Sequence, residues 1–215
     1  NGVVMANTSR GRNTQTTWII GAVIGVVIAV AAIVAISSTG GEETASDLQQ
    51  FGKIEVVGDP LPQFTSEESD PAIGMTAPVV NGTGFSGNAI STSHGTPMLI
   101  VFLAHWCPHC QREVPLLVEW EKSGAVPAGI DVIAVATGTD PANPNYPPSD
   151  WLAREQFPAL WPVMTDSKTF EAGEAYGLQG YPYFVLVGAD GKVAKRMSGE
   201  IPMEQLTQEI QAVLG

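Results

Sequence analysis

A chain of 215 residues, 44% of them hydrophobic, is long enough for one domain of ordinary size and a further segment beside it. Its 22 acidic residues against 10 basic ones give a formal charge of −12. Such a balance argues against nucleic acid or an anionic membrane face as partner and favours solubility.

The chain opens with residues 1–17, which carry Arg10 and Arg12 and no acid. Residues 18–36, WIIGAVIGVVIAVAAIVAI, follow as nineteen apolar residues without a charge. At about 1.5 Å per residue a helix of that length nearly matches a hydrocarbon core about 30 Å thick, so one transmembrane helix is predicted. The basic flank predicts a cytoplasmic N-terminus and an extracytoplasmic remainder. A cleaved secretory signal is the alternative, since AVA at 29–31 and AIS at 35–37 resemble cleavage sites. The run exceeds the usual signal core of about 7 to 15 residues, which favours an uncleaved anchor. Beyond residue 36 the chain holds 8 basic and 22 acidic residues, a charge of −14.

Residues 37–72 are polar and acidic, broken by GDPLPQF and TSEESDP, and read as a mostly extended extracytoplasmic linker. The patch FGKIEVVG inside it suits a short strand. From residue 73 to 215 strand-like and helix-like segments alternate. MLIVFLA (98–104) is a buried-strand run, CQREVPLLVEWEKSG (110–124) has helical spacing, and IDVIAVAT (130–137) is a second buried strand. A Pro-rich loop at 139–148 precedes predicted helices at 150–157 and 168–177, with an edge strand at 161–166 between them. Two strands over 182–199, joined at Asp190-Gly191, form a predicted hairpin, and an amphipathic helix at 202–214 closes the chain. The pattern predicts an α/β domain with a mixed sheet.

The chain's two cysteines both fall in HWCPHC (105–110). Cys107 follows the first buried strand and opens the next helix, where unpaired N–H groups and the helix dipole favour a thiolate. A spacing of three places Cys110 on the same helical face, close enough for a disulfide with Cys107. Cys107 is the expected exposed attacker and Cys110 the shielded resolver. Pro108 suits an early helical position. His109, partly protonated, would stabilise the thiolate and make the disulfide a stronger oxidant. A purely structural disulfide closes too small a loop to stabilise the domain much. A copper or zinc site with His94, His105 or His109 is the alternative from another class, an extracytoplasmic metallochaperone module.

FLAHWCPHCQREVP resembles the active-site strand and helix of the membrane-anchored TlpA/ResA group of thioredoxin-like proteins, with Trp106 before the first cysteine and Glu113 and Pro115 in its Glu-x-Pro positions. The Pro108-His109 dipeptide is similar to that of the oxidising DsbA proteins. The resemblance implies a three-layer thioredoxin-like fold, thiol-disulfide exchange with protein substrates, and no cofactor beyond the Cys107-Cys110 pair. It also implies a membrane redox partner that recycles the pair. It implies a cis-proline at Pro182, after Tyr181 and opposite the dithiol, where the backbone can pair with an extended substrate segment. Trp106, Tyr181 and Pro182 are thus expected to bind substrate. Glu113 reads otherwise as an exposed helical acid. MLIVFLA holds no acid of the kind thioredoxins bury near the resolving cysteine, so the proton acceptor for Cys110 is open between His105 and water.

Overall fold

The computed structural model describes Gly2 and residues 48–215. The predicted transmembrane run at 18–36 lies outside the described residues. The rest forms one eight-stranded sheet in the order β1-β2-β6-β5-β4-β7-β8, with β3 paired on β2. The strands are β1 (Glu55–Val57), β2 (Val79–Gly84), β3 (Ala89–Ser91), β4 (Met98–Leu103), β5 (Asp131–Ala136), β6 (Val163–Thr165), β7 (Tyr183–Val187) and β8 (Val193–Ser198). Helices α1 (Pro108–Lys122), α2 (Pro148–Arg154), α3 (Glu171–Ala175) and α4 (Met203–Leu214) complete it.

β4 is central and buried along its whole length, as a strand of MLIVFL covered on both faces should be. It runs parallel to β5 and antiparallel to β7, and β5 runs parallel to β6. Alternate residues divide between two cores. Leu99, Val101 and Leu103 pack with α1 and α4, whereas Ile100 and Phe102 pack with α3 and the segment before β2. The mixed sheet between these two layers is the expected thioredoxin-like arrangement. The predicted β7–β8 hairpin also forms, with Gly191 at φ 76° in its turn.

Two expectations change. The strand predicted at the edge is internal, since β6 lies between β5 and β2. Its outer neighbour, VVNGTG, carries glycines and an asparagine in place of apolar alternation, so the β2–β3 hairpin gave no periodic signal. The tether predicted over 37–72 ends sooner than its composition suggests, because the chain packs on the domain from Gln50 onward. Ile54, Leu61, Phe64 and Ala72 are buried. Leu61 and Phe64 donate their N–H groups to the Ala175 and Gly177 carbonyls at 2.9 and 2.8 Å. Prolines and acids interrupt the apolar residues here, which removes periodicity without removing burial.

Arg196 of β8 clamps this segment. Its guanidinium bonds both carboxylate oxygens of Asp70 and donates Nη1 to the carbonyls of Pro62 at 2.8 Å and Tyr176 at 3.1 Å. Both side chains of the pair are inaccessible to solvent. Burial alone would raise the Asp70 pKa, but the bonds from Arg196 and the Ala72 N–H outweigh it and hold the carboxyl below its usual range. Its stabilising contribution is therefore present above the unfolded value of about 3.9 and is lost as pH falls through the depressed folded value. Asp70→Asn leaves the guanidinium buried without its counter-charge and should cost about 3–5 kcal/mol in urea denaturation at neutral pH. A loss under about 1 kcal/mol would show that the pair does not hold the segment.

Candidate active site

The carboxyl ends of parallel β4, β5 and β6 and the start of antiparallel β7 share one edge of the sheet, the place where open α/β sheets carry their sites. Cys107 is the N-cap of α1, with φ −72° and ψ 120°. Its N–H donates to the Ala104 carbonyl at 3.0 Å and its carbonyl accepts Gln111 N–H at 3.1 Å. Pro108 takes the first helical position, where a missing N–H leaves no helical bond unmade. The thiol thus stands at the positive end of a helix of 15 residues. It is only 6% exposed, however, so the expected exposed attacker is recessed. Its Sγ faces the Tyr181 carbonyl oxygen at 3.8 Å.

Cys110 is fully buried and its Sγ accepts the Ala104 N–H at 3.5 Å. Burial above all, with the neighbouring Cys107 and Glu113 adding to it, pushes this thiol far above its ordinary pKa. Glu113, one turn further along α1, is also fully buried. Oε1 accepts Ile201 N–H at 3.3 Å, and Oε2 has no hydrogen-bond partner. Burial, with the Glu200 charge adding to it, raises the Glu113 pKa to about 7 against that one bond. The buried acid missing from β4 is therefore supplied by the helix. The sequence held the signal, since Cys110, Glu113, Leu117 and Trp120 recur at helical spacing along the buried stripe.

His105 does not serve Cys110. Nδ1 donates to the Pro144 carbonyl at 2.7 Å and Nε2 accepts the Asp140 N–H at 3.2 Å, the bonding of a neutral imidazole. Burial lowers its pKa, more than the Pro144 carbonyl and the Asp140 charge raise it. His109 is exposed and turned to Glu200, with Nδ1 2.7 Å from Oε1, where Arg112 Nε also donates at 2.9 Å. Arg112 first, then His109, holds the Glu200 carboxyl below its usual range. Neither Arg112 nor Glu200 stood out in the sequence. His94 sits apart, its Nε2 3.0 Å from the Ala77 carbonyl. Among the described residues no group of three His, Cys, Asp or Glu side chains converges as metal ligands do.

The Tyr181–Pro182 peptide is cis, as the resemblance implied. Trp106 meets the Tyr181 ring edge-on, with centroids 5.7 Å apart, and donates Nε1 to the Gly138 carbonyl at 2.7 Å. The edge therefore gathers Trp106, both thiols and the Tyr181 carbonyl around the start of one helix.

The Redoxin family model matches residues 56–214. A thiol-disulfide oxidoreductase ResA of Bacillus thuringiensis subsp. konkukian is 30% identical over 153 residues, which cover 70% of this chain and 83% of that protein. The methylamine utilization protein MauD of Methylophilus methylotrophus is 27% identical over 150 residues, covering 68% of this chain and 64% of that one. Among solved structures, the putative thiol:disulfide interchange protein DsbE from Chlorobium tepidum aligns with a TM-score of 0.54 and 28% identity, over 66% of this chain and 98% of its own.

Glu113 holds its proton more tightly in the folded chain than in the unfolded one, where glutamate titrates near about 4.3. Its stabilising contribution is complete below that pH and is lost as pH rises through about 7. Thermal melts from about pH 4 to about pH 8 should show a decline in wild type that Glu113→Gln lacks. Parallel curves would rule out titration at Glu113.

Proposed function

Because the chain belongs to the Redoxin family, as a TlpA/ResA-like thioredoxin-fold member, and is a thiol-disulfide oxidoreductase, we propose that it reduces disulfides in protein substrates through Cys107 and Cys110. The observation that carries this reading is Cys107 at the helix start, its sulfur 3.8 Å from the carbonyl of Tyr181. An extended substrate segment pairing with that backbone lays its own sulfur against Cys107, a one-strand addition.

In this reading the Cys107 thiolate attacks one sulfur of the substrate disulfide. The substrate S–S bond breaks, its other sulfur leaves as a thiolate, and a mixed disulfide with Cys107 forms. Glu113 then takes the Cys110 proton, a task suited to a carboxyl that titrates near about 7. The Cys110 thiolate attacks the Cys107 sulfur and releases the second substrate thiol. The substrate gains two electrons and the chain keeps a Cys107-Cys110 disulfide. The pair itself is the redox group, and a membrane redox partner that supplies two electrons returns it to the dithiol.

One feature supports this direction. Burial of Cys110 beside Glu113 disfavours a second anion, which weighs against a reduced form stabilised enough to make the disulfide a strong oxidant. We assign the apolar run 18–36 as an uncleaved anchor that leaves the domain outside the cytoplasm, supported by its length and by Arg10 and Arg12 before it.

Equilibration in glutathione redox buffers should give a potential near about −270 mV, while a value near about −120 mV would reverse the direction to disulfide donation. The Cys107→Ser variant should fold and lose exchange entirely, and retained turnover would overturn the choice of attacking sulfur. Cys110→Ala should accumulate mixed disulfides with substrate, visible on non-reducing gels. Their absence under conditions where wild type turns over would remove Cys110 as the resolving thiol.

A further inference from the structure

We propose that Arg112 and Glu200 are positioning residues that fasten the turn between β8 and α4 to α1, and so keep the Ile201 N–H on Glu113. The proposal rests on the exchange reading above, in which Glu113 takes the Cys110 proton, and adds two residues at the rim. Arg112 and Glu113 are neighbours on α1, and Glu200 and Ile201 are neighbours in the turn. The contacts join them as two rungs. In the outer rung Arg112 donates Nε and Nη2 to Glu200 Oε1 at 2.9 and 2.5 Å. In the inner rung Ile201 donates its N–H to Glu113 Oε1 at 3.3 Å.

The inner rung has little margin. A backbone N–H bond to oxygen ordinarily spans about 2.7–3.2 Å, so moving the turn slightly away from α1 removes this one. Glu113 Oε2 has no partner, and the buried carboxyl would then lose the donor that favours its charged form. The turn leaves β8 through Gly199, at φ 95°, where a Cβ would meet nothing within 4 Å. The Gly199 N–H donates to the Pro182 carbonyl at 2.9 Å and ties that end of the turn to the cis peptide. Glu200 stands between this tie and Ile201, so its bonds to Arg112 set the distance of the turn from α1. His109 Nδ1 converges on the same Glu200 oxygen at 2.7 Å, which makes the outer rung a network of three side chains.

Glu200 acts on Glu113 in two opposite senses. Its charge raises the proton affinity of Glu113, whereas the Ile201 bond that its rung keeps in place lowers it. Cys110, one turn back on α1, is the other titratable group beside Glu113. The side chains of the outer rung are 55% and 37% exposed, so solvent limits its effect to a few-fold.

The opposition of sign gives the test, on the full chain in detergent with isotope-labelled glutamate followed by NMR. Glu200→Gln and Glu200→Ala both remove the charge, but glutamine keeps an oxygen for Arg112 and alanine does not. The Glu113 carboxyl should titrate about half a pH unit higher in the alanine variant than in the glutamine one, about a threefold gain in proton affinity. The Ile201 amide should exchange with solvent about threefold faster in the alanine variant and in Arg112→Met than in Glu200→Gln. Release of glutathione from a mixed disulfide with Cys107 should show the same half-unit displacement of its pH profile, to within about a tenth of a unit. In that step Cys110 passes its proton to Glu113, its thiolate bonds the Cys107 sulfur, the mixed S–S bond breaks, and glutathione leaves as the thiolate. Equal midpoints in the two variants, or an Ile201 exchange rate that does not move, overturn the fastening. A midpoint that moves while the release profile stays in place leaves the fastening standing and removes Glu113 from the exchange reading.

Discussion

Cys110 and Glu113 are buried one helical turn apart, and neither is readily charged there. Burial raises both proton affinities, and a negative charge on Glu113 raises that of Cys110 further. A single anion is therefore tolerated between them, and a proton leaving the thiol has a carboxyl of near-neutral pKa close by to receive it. The arrangement needs α1 packed hard against β4, because a water reaching the unbonded Glu113 Oε2 would lower its pKa. Leu117 and Trp120 supply that packing on the same helical face. The carboxylate's one bond comes from Ile201, so the turn between β8 and α4 belongs to the site as much as the cysteine motif does.

Charge is sorted by depth around this centre. At the rim, His109 and Arg112 converge on Glu200 where solvent screens them. On the opposite face of the sheet, Arg196 and Asp70 form a pair closed to solvent. The first arrangement ties two basic side chains to one carboxylate near the start of α1. The second holds an extended, proline-broken segment against the sheet, since the guanidinium also gathers the Pro62 and Tyr176 carbonyls. Removing charge at the rim changes local potential, whereas removing it beneath leaves a buried ion without a partner.

The sheet edge explains why so few residues suffice. Parallel β4, β5 and β6 end together, and antiparallel β7 begins beside them. Cys107, the Gly138 carbonyl and Tyr181 come from three separate strand ends yet meet around one helix start. Gly138 serves two neighbours, accepting from Trp106 through its carbonyl and leaving room for Tyr181 through its missing side chain.

Local chemistry was legible in the sequence. The apolar run of β4, the helical spacing after Cys107, the Asp190-Gly191 turn and the amphipathic α4 each follow from periodicity or turn residues, which act over a few neighbours. So do the pairing distance of Cys107 and Cys110 and the place of Pro108. The β2–β3 hairpin, the packing of residues 50–72 and the internal place of β6 were not legible, because those segments lack a period and are stabilised by partners far along the chain. The site divides on the same ground. The sequence by itself determined that two thiols stand at a helix start after a buried strand. Only the tertiary structure decided that Glu113 is buried, that His109 turns to Glu200, and that Trp106 and Gly138 close around Tyr181. Burial and hydrogen bonding across strands depend on which surfaces meet, and no local pattern encodes that.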